Sequence, residues 1–329
     1  MAMDGLALKR IVGELQTIVG GKIDKVQQPE KDVLLLTVRT NVGTQRILIV
    51  THAENGRLQR TEAPQENPVT APAFCMLLRK HILGGRITAV EQIGPDRACA
   101  IHILARDEMM DAVPLKLAIE LTGKHSNLSL VGQDGKIIDC LRRISPSETN
   151  LRVMLPGFSY LPPPDQGKLD PFQATQADLA AVFSAESNVR ALTDAYAGIG
   201  RGTATAMLGT CVNAKEMHAL LQSLADGTST PSIVYDLDDA PVAVLPFLPK
   251  NMQGRTERRE TLSEALDDYY AARDAIVRTR RHGAALRRTA EHALGRAQNR
   301  RQALWEAMQN GERLETLRLN GELILANLH

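Results

Sequence analysis

Met3 to Pro29 reads MDGLALKRIVGELQTIVGGKIDKVQQP, and the change of period inside this stretch decides the fold class. Leu8, Ile11, Val12, Leu15, Ile18 and Val19 fall at helical spacing, with Asp4 placed to accept hydrogen bonds from the first free amides. Gly20-Gly21 stops that helix, and Lys22 to Val26 opens a β-rich run. A helix feeding directly into strands predicts an α+β chain rather than an all-helical one.

The following residues keep that character. Val33 to Val38, Arg46 to Val50 and Arg57 to Gln59 are short β-rich runs separated by turn residues, the pattern of an antiparallel meander. Pro64, Pro68 and Pro72 lead into a short helix over Ala73 to Leu83, closed by Gly84-Gly85. Further strands fit Ile87 to Ile93, Ala98 to Leu104, Leu115 to Leu121 and Leu128 to Val131. Residues 1–172 therefore read as one α+β domain, with LPPPD at Leu161 to Asp165 near its end. Residues 173–227 are Ala-rich and helical, with a Gly198-Ile199-Gly200 turn in the middle. A connector over 228–261 carries β segments at Ser232 to Tyr235 and Val242 to Leu245. From Leu262 to His329 a long helix places Leu262, Tyr269, Ile276, Gly283, Ala290, Ala297 and Leu304 on one edge at seven-residue spacing. Ala265, Ala272, Thr279, Leu286 and Ala293 form a second, small-residue edge, as in one arm of a truncated antiparallel coiled coil.

With 329 residues, 43% of them hydrophobic, the chain can bury at least one full core. Its net charge of +1 conceals an uneven distribution: from Arg273 to Arg301 nine arginines face only Asp274 and Glu291. The four cysteines, Cys75, Cys99, Cys140 and Cys211, form no CxxC pair, and the eight histidines form no HxH, HxxxH or HExxH arrangement, so no metal site is expected. The start, MAMDGLALKRIVGELQ, lacks a signal-peptide core, and no apolar run approaches the ~18 residues of a membrane span. A cytoplasmic protein is the expectation.

Four strings in order, MDGLALKRIVGEL with GGKIDKVQQP, FCMLLRKHILGGRI at Phe74 to Ile87, Asp96-Arg97 followed by ELTGKHSNLSLV at Glu120 to Val131, and GELILANLH at the end, resemble the NFACT family of bacterial RqcH proteins. The resemblance implies an NFACT-N domain with a fold like the N-terminal domain of formamidopyrimidine-DNA glycosylases, a helix-hairpin-helix module and a coiled coil. The family's C-terminal NFACT-R domain is not represented. It further implies a cytoplasmic, non-enzymatic adaptor without cofactor that binds an obstructed large ribosomal subunit carrying peptidyl-tRNA. Such an adaptor recruits alanyl-tRNA, so that alanine tails are added by the ribosome itself.

The resemblance assigns Asp4, Asp96, Arg97 and the loop Lys124, His125, Ser126 and Asn127 to tRNA contact. Chemistry permits this, since a carboxylate beside a planar guanidinium suits an unpaired base or its phosphate. Gly94-Pro95-Asp96-Arg97 also reads as a plain tight turn, Asp4 as a plain helix cap, and the Lys124 loop as a solvated hairpin. AYAGIGRGTATAML, Ala195 to Leu208, matches the helix-hairpin-helix pattern, in which Gly198 and Gly200 bring amides to a phosphate and Arg201 and Lys215 add charge. On the long helix Arg278, Arg280, Arg281, Arg287 and Arg288 are candidates for rRNA phosphates, or else a solvated face. Two other function classes fit less well. A glycosylase needs an N-terminal proline followed by glutamate, where this chain has Met1-Ala2-Met3-Asp4. A fibronectin-binding surface adhesin needs an export signal.

Overall fold

A computed structural model of the chain describes residues 3–148, 152–184, 188–252 and 254–328, the side chains of 272–282 and 284–285 excepted. The fold is α+β, and Met1–Tyr270 form one compact unit and Ala271–His329 a second.

Two helix-plus-meander repeats build the large sheet of the first unit. Helix α1 (Gly5–Glu14), continued by a 3-10 turn at Leu15–Ile18, precedes β1 (Lys22–Glu30), β2 (Val33–Thr40), β3 (Gly43–Val50) and β4 (Arg57–Arg60). Helix α2 (Ala73–Ile82) precedes β5 (Arg86–Gln92), β6 (Ala98–Arg106), β7 (Ala112–Glu120), β8 (Asn127–Val131) and β9 (Ile137–Cys140). The strands form one antiparallel nine-stranded sheet in the order β4-β3-β2-β1-β5-β6-β7-β8-β9. Its midline is the seam between the repeats, where IVGGKI meets ILGGRI. Gly20 N–H donates to Ile87 O and Gly84 N–H to Ile23 O, both at 2.8 Å. Ile87 N–H donates to Gly21 O and Ile23 N–H to Gly85 O, both at 2.9 Å. The bonds are reciprocal because the two Gly-Gly turns have the same shape, with Gly20 at φ +83° and Gly84 at φ +80°.

Both helices cover one face of the sheet. Leu8, Ile11, Leu15 and Ile18 together with Phe74, Cys75, Leu78 and Ile82 pack on Ile23, Leu36, Ile47, Ile101, Leu117 and Leu130. Leu6, on another side of α1, enters a second core. That core is built by α3 (Gln176–Phe183), α4 (Asn188–Ala195), α5 (Arg201–Thr210), α6 (Ala214–Ala225) and a small sheet. The small sheet holds β10 (Ser232–Tyr235), β11 (Pro241–Leu245) and β12 (Thr256–Arg258) in the order β11-β10-β12. Helix α1 is thus shared by both cores, which lie within one compact unit.

The long helix α7 (Leu262–Ala326) begins inside the first unit. Leu262, Ala265, Leu266, Tyr269 and Tyr270 are buried in the core of the large sheet, so the first positions expected on a coiled-coil seam are instead covered by the chain's own head. Glu14 of α1 caps the helix: its buried carboxylate accepts from Leu262 N–H at 2.6 Å, Ser263 N–H at 3.1 Å and Ser263 Oγ at 2.7 Å. Asp267 accepts from Thr61 Oγ1 at 2.8 Å and Glu62 N–H at 2.9 Å, joining the helix to the end of β4.

In the second unit the helix exposes Leu304, Trp305, Met308, Leu314, Leu317 and Ile324. Arg287 and Arg288 are exposed, and Arg287 pairs with Glu291 at 3.4 Å one turn on. The side chains of Ala272, Ile276, Arg278, Thr279, Arg280 and Arg281 lie outside the described residues. Strands β9 and β12 are four and three residues long, too short for their alternation to register in the sequence.

Candidate nucleic-acid interface

Three backbone segments converge at the start of α1. Gly5 N–H donates to Gly198 O at 2.7 Å, and Pro95 O lies against both glycines. A Cβ built on Gly198 would stand 1.9 Å from that oxygen and one on Gly5 2.2 Å from it, so both positions accept only glycine. Gln92 Nε2 adds bonds of 2.9 Å to Gly5 O and Asp96 O. This junction gathers Asp4, Asp96, Arg97, Gly198, Gly200 and Arg201, from three remote parts of the chain, around one cleft of about 380 Å³ that Gln166 and Lys168 also line.

Asp4 forms the floor. Its Oδ1 accepts from Ala7 N–H at 2.9 Å, which caps α1, and its Oδ2 accepts from Gly200 N–H at 3.1 Å. Burial raises its pKa, opposed by hydrogen bonds from Thr203, Ala7 and Gly200 and by the Arg97 charge. Asp96 and Arg97 are half-buried neighbours: Asp96 Oδ1 accepts from Arg97 N–H at 2.7 Å and from its Nε at 3.3 Å. Asp96 Oδ2 accepts from Gln166 Nε2 at 2.7 Å.

The Gly200 amide, read from the sequence as a phosphate donor, is engaged by Asp4 inside the protein. Arg201 is exposed on the cleft, and Lys215 is exposed on α6 away from its lining. The turn between β7 and β8 divides in two. Ser126 and Asn127, expected at an RNA-facing tip, are buried. Ser126 Oγ donates to Gly123 O at 2.7 Å, while Asn127 donates to Arg142 O at 2.8 Å and accepts from Arg142 N–H at 2.9 Å. They hold the turn so that Lys124 and His125 stand exposed. Leu121 N–H donates to Arg97 O at 2.8 Å, tying this hairpin to the cleft.

Gly5, Gln92, Gln166, Lys168 and Arg142 were not legible as site residues. Gln166 and Lys168 follow the LPPPD run that reads as the end of the first domain, and Gln92 lies inside a strand. Arg142 supports Lys124 from 18 residues away, donating to Lys124 O and Thr51 O at 3.2 Å each.

The raised pKa of Asp4 has a measurable sign. The folded state holds this proton more tightly than the unfolded chain, whose carboxyl sits near 3.8. The associated stability is therefore complete below that value and is lost as pH rises through the folded pKa. Relative to Asp4→Asn, wild type is expected to lose ground as pH rises above the ordinary carboxyl value of 3.8, measured as the difference in urea midpoints.

The family model for the NFACT N-terminal and middle domains matches residues 4–329. The chain belongs to the NFACT family. Among NFACT relatives it is similar to the Rqc2 homolog RqcH of Bacillus subtilis, 31% identical over 339 aligned positions that cover all of this chain and 59% of that protein. It is also similar to the archaeal Rqc2 homolog aRqcH of Methanocaldococcus jannaschii, at 28% over 49% of this chain and 23% of that one. The chain thus spans about three-fifths of the bacterial relatives' length. Of solved structures, the N-terminal part of the fibronectin/fibrinogen-binding protein from Streptococcus suis matches with TM-score 0.71 at 30% identity, covering 82% of this chain and 99% of that one. The fibrinogen binding protein from Staphylococcus aureus matches with TM-score 0.70 at 28% identity, covering 81% and 98%. Among the described residues no helix is long and apolar enough to cross a membrane.

Proposed function

We propose that this chain is the RNA-gripping head of a cytoplasmic ribosome-associated quality-control factor. The head and the long helix would engage an obstructed large ribosomal subunit carrying peptidyl-tRNA. The cleft would hold alanyl-tRNA for template-independent alanine tailing. Peptide bonds form in the ribosome's own centre, so the chain supplies position and no catalytic group.

The observation that carries this reading is the convergence of Asp96-Arg97 with Arg201 and Lys168 around a single open cleft. Arg97 offers a planar face and donors to an unpaired base or phosphate, and Arg201, Lys168 and the neighbouring Lys124 supply charge to the backbone of a loop. The similarity to RqcH proteins supports the same partner class. The α4–α5 turn contributes Arg201 as its contact, in place of free glycine amides.

Titration of fluorescent alanyl-tRNA tests the proposal. If those four cations each neutralise one phosphate of a single-stranded loop, log Kd should change with log salt at a slope of roughly 3. The double change Asp96→Ala, Arg97→Ala should weaken binding about 10- to 100-fold with the melting temperature little altered. Salt-independent binding, or a double variant that binds and tails normally, would refute the assignment.

A further inference from the structure

Leu161 to Leu169, LPPPDQGKL, crosses the rim of the cleft as a strap fixed at both ends. At its start Arg152 Nε donates to Leu161 O at 3.0 Å, and Arg152 is itself clamped by Glu120. At its end Leu169 N–H donates to Ala195 O and Ala197 N–H to Leu169 O, both at 2.9 Å, while Lys168 Nζ reaches Thr193 O at 2.8 Å. Pro162, Pro163 and Pro164 have fixed φ and no N–H to donate, so this part of the strap arches without pairing. Beneath it lies a second lobe of about 310 Å³, walled by these prolines, Ile93, Ala98 and Ala197, and adjoining the cleft at Asp96, Arg97 and Gln166.

The strap meets the floor of this lobe through Gln166, whose exposed side chain donates to Asp96 Oδ2. The other oxygen is taken by Arg97. The carboxylate is therefore engaged on both oxygens before any ligand arrives, and one of its partners is a neutral –NH₂ group on an exposed side chain of the strap. A carboxamide –NH₂ and the exocyclic amine of cytosine, adenine or guanine present the same donor to a carboxylate. Uracil has no such amine, and its N3–H is flanked by two carbonyls that repel the carboxylate.

We infer that Gln166 is a tethered stand-in for a nucleobase amino group. It occupies Asp96 in the free protein and is exchanged, with opening of the strap, for an unpaired base that carries an exocyclic amine. The apolar lobe would receive the base, and Gln166 would set both the threshold for entry and the preference among bases. This inference rests on the RNA-binding reading and adds to it a specificity device that reading does not require.

The test compares wild-type chain with Gln166→Ala and Asp96→Asn, by fluorescence anisotropy on labelled oligocytidylate and oligouridylate of equal length. Removing the competitor should tighten oligocytidylate binding by about threefold to tenfold, the worth of one solvent-exposed hydrogen bond from a neutral donor, and leave oligouridylate unchanged. Asp96→Asn should abolish the preference for oligocytidylate. Exchange of the Gly167 and Lys168 amides should quicken in Gln166→Ala. If oligocytidylate binds no more tightly to Gln166→Ala, or if both oligomers gain equally, the stand-in is refuted while RNA binding survives. If neither oligomer nor alanyl-tRNA binds wild type, the underlying RNA reading is refuted and the stand-in with it.

Discussion

Gly198→Ala is expected to destabilise the first unit by about 2–6 kcal/mol, combining ~1–3 for a side chain held at positive φ with ~1–3 for overpacking. The native residue sits at φ +72°, and its new methyl group would overlap Pro95 O, a backbone atom fixed by the β5–β6 turn. Relief requires the α4–α5 turn to withdraw from α1, which breaks the Gly5 to Gly198 hydrogen bond and pulls the Gly200 amide from Asp4. The loss therefore reaches the cleft as well as the fold. Urea unfolding should show the lower midpoint, and a folded fraction at low temperature should bind alanyl-tRNA more weakly than wild type. Gly13→Ala supplies the contrast. That glycine lies inside α1 with open space around its would-be Cβ, so the change should stabilise by about 0.5–1 kcal/mol. Equal effects at the two positions would show that the close approach at Gly198 is not tight.

Glu120→Ala is expected to cost about 3–5 kcal/mol, because it leaves an ion pair's cation without its partner in a largely desolvated place. Glu120 is buried, and its carboxylate accepts from Arg152 Nη1 at 3.0 Å, Arg152 Nη2 at 2.7 Å and the Tyr160 hydroxyl at 2.9 Å. Burial and the adjacent Glu120 charge push the Tyr160 hydroxyl well above its ordinary range, so at neutral pH that hydroxyl remains a donor in need of an acceptor. Calorimetric unfolding measures the loss. Since Arg152 also anchors Leu161, the same change should speed amide exchange along the strap, and an unaltered strap would separate this ion pair from the cleft.

The helix from Asp4, the glycine stops and most of the strands were legible because each is set by local spacing that survives any tertiary arrangement. The cap by Asp4 was read correctly as local chemistry. Its second bond, to Gly200, was not, because 196 residues separate the partners and no local pattern encodes the meeting. The first positions of the supposed coiled-coil seam show the opposite failure. Leu262, Ala265 and Tyr269 carry a seven-residue repeat, yet periodicity reports only that one face of a helix is covered and not what covers it; here it is the core of the large sheet. Ser126 and Asn127 read as loop-tip polar groups because polarity in a turn suggests solvent, whereas both are buried with their hydrogen bonds met inside.

The amino-acid order by itself determined the α+β class and the family, while Asp96 and Arg97 became candidates through the resemblance and read locally as a plain turn. Tertiary structure alone decided that Gly5, Pro95 and Gly198 touch, that Gln166 lies on Asp96 and that Glu14 caps α7. The division has one physical cause. Periodicity and capping are properties of neighbouring residues, while a cleft is made of surfaces that come together only after two cores have packed on either side of one helix.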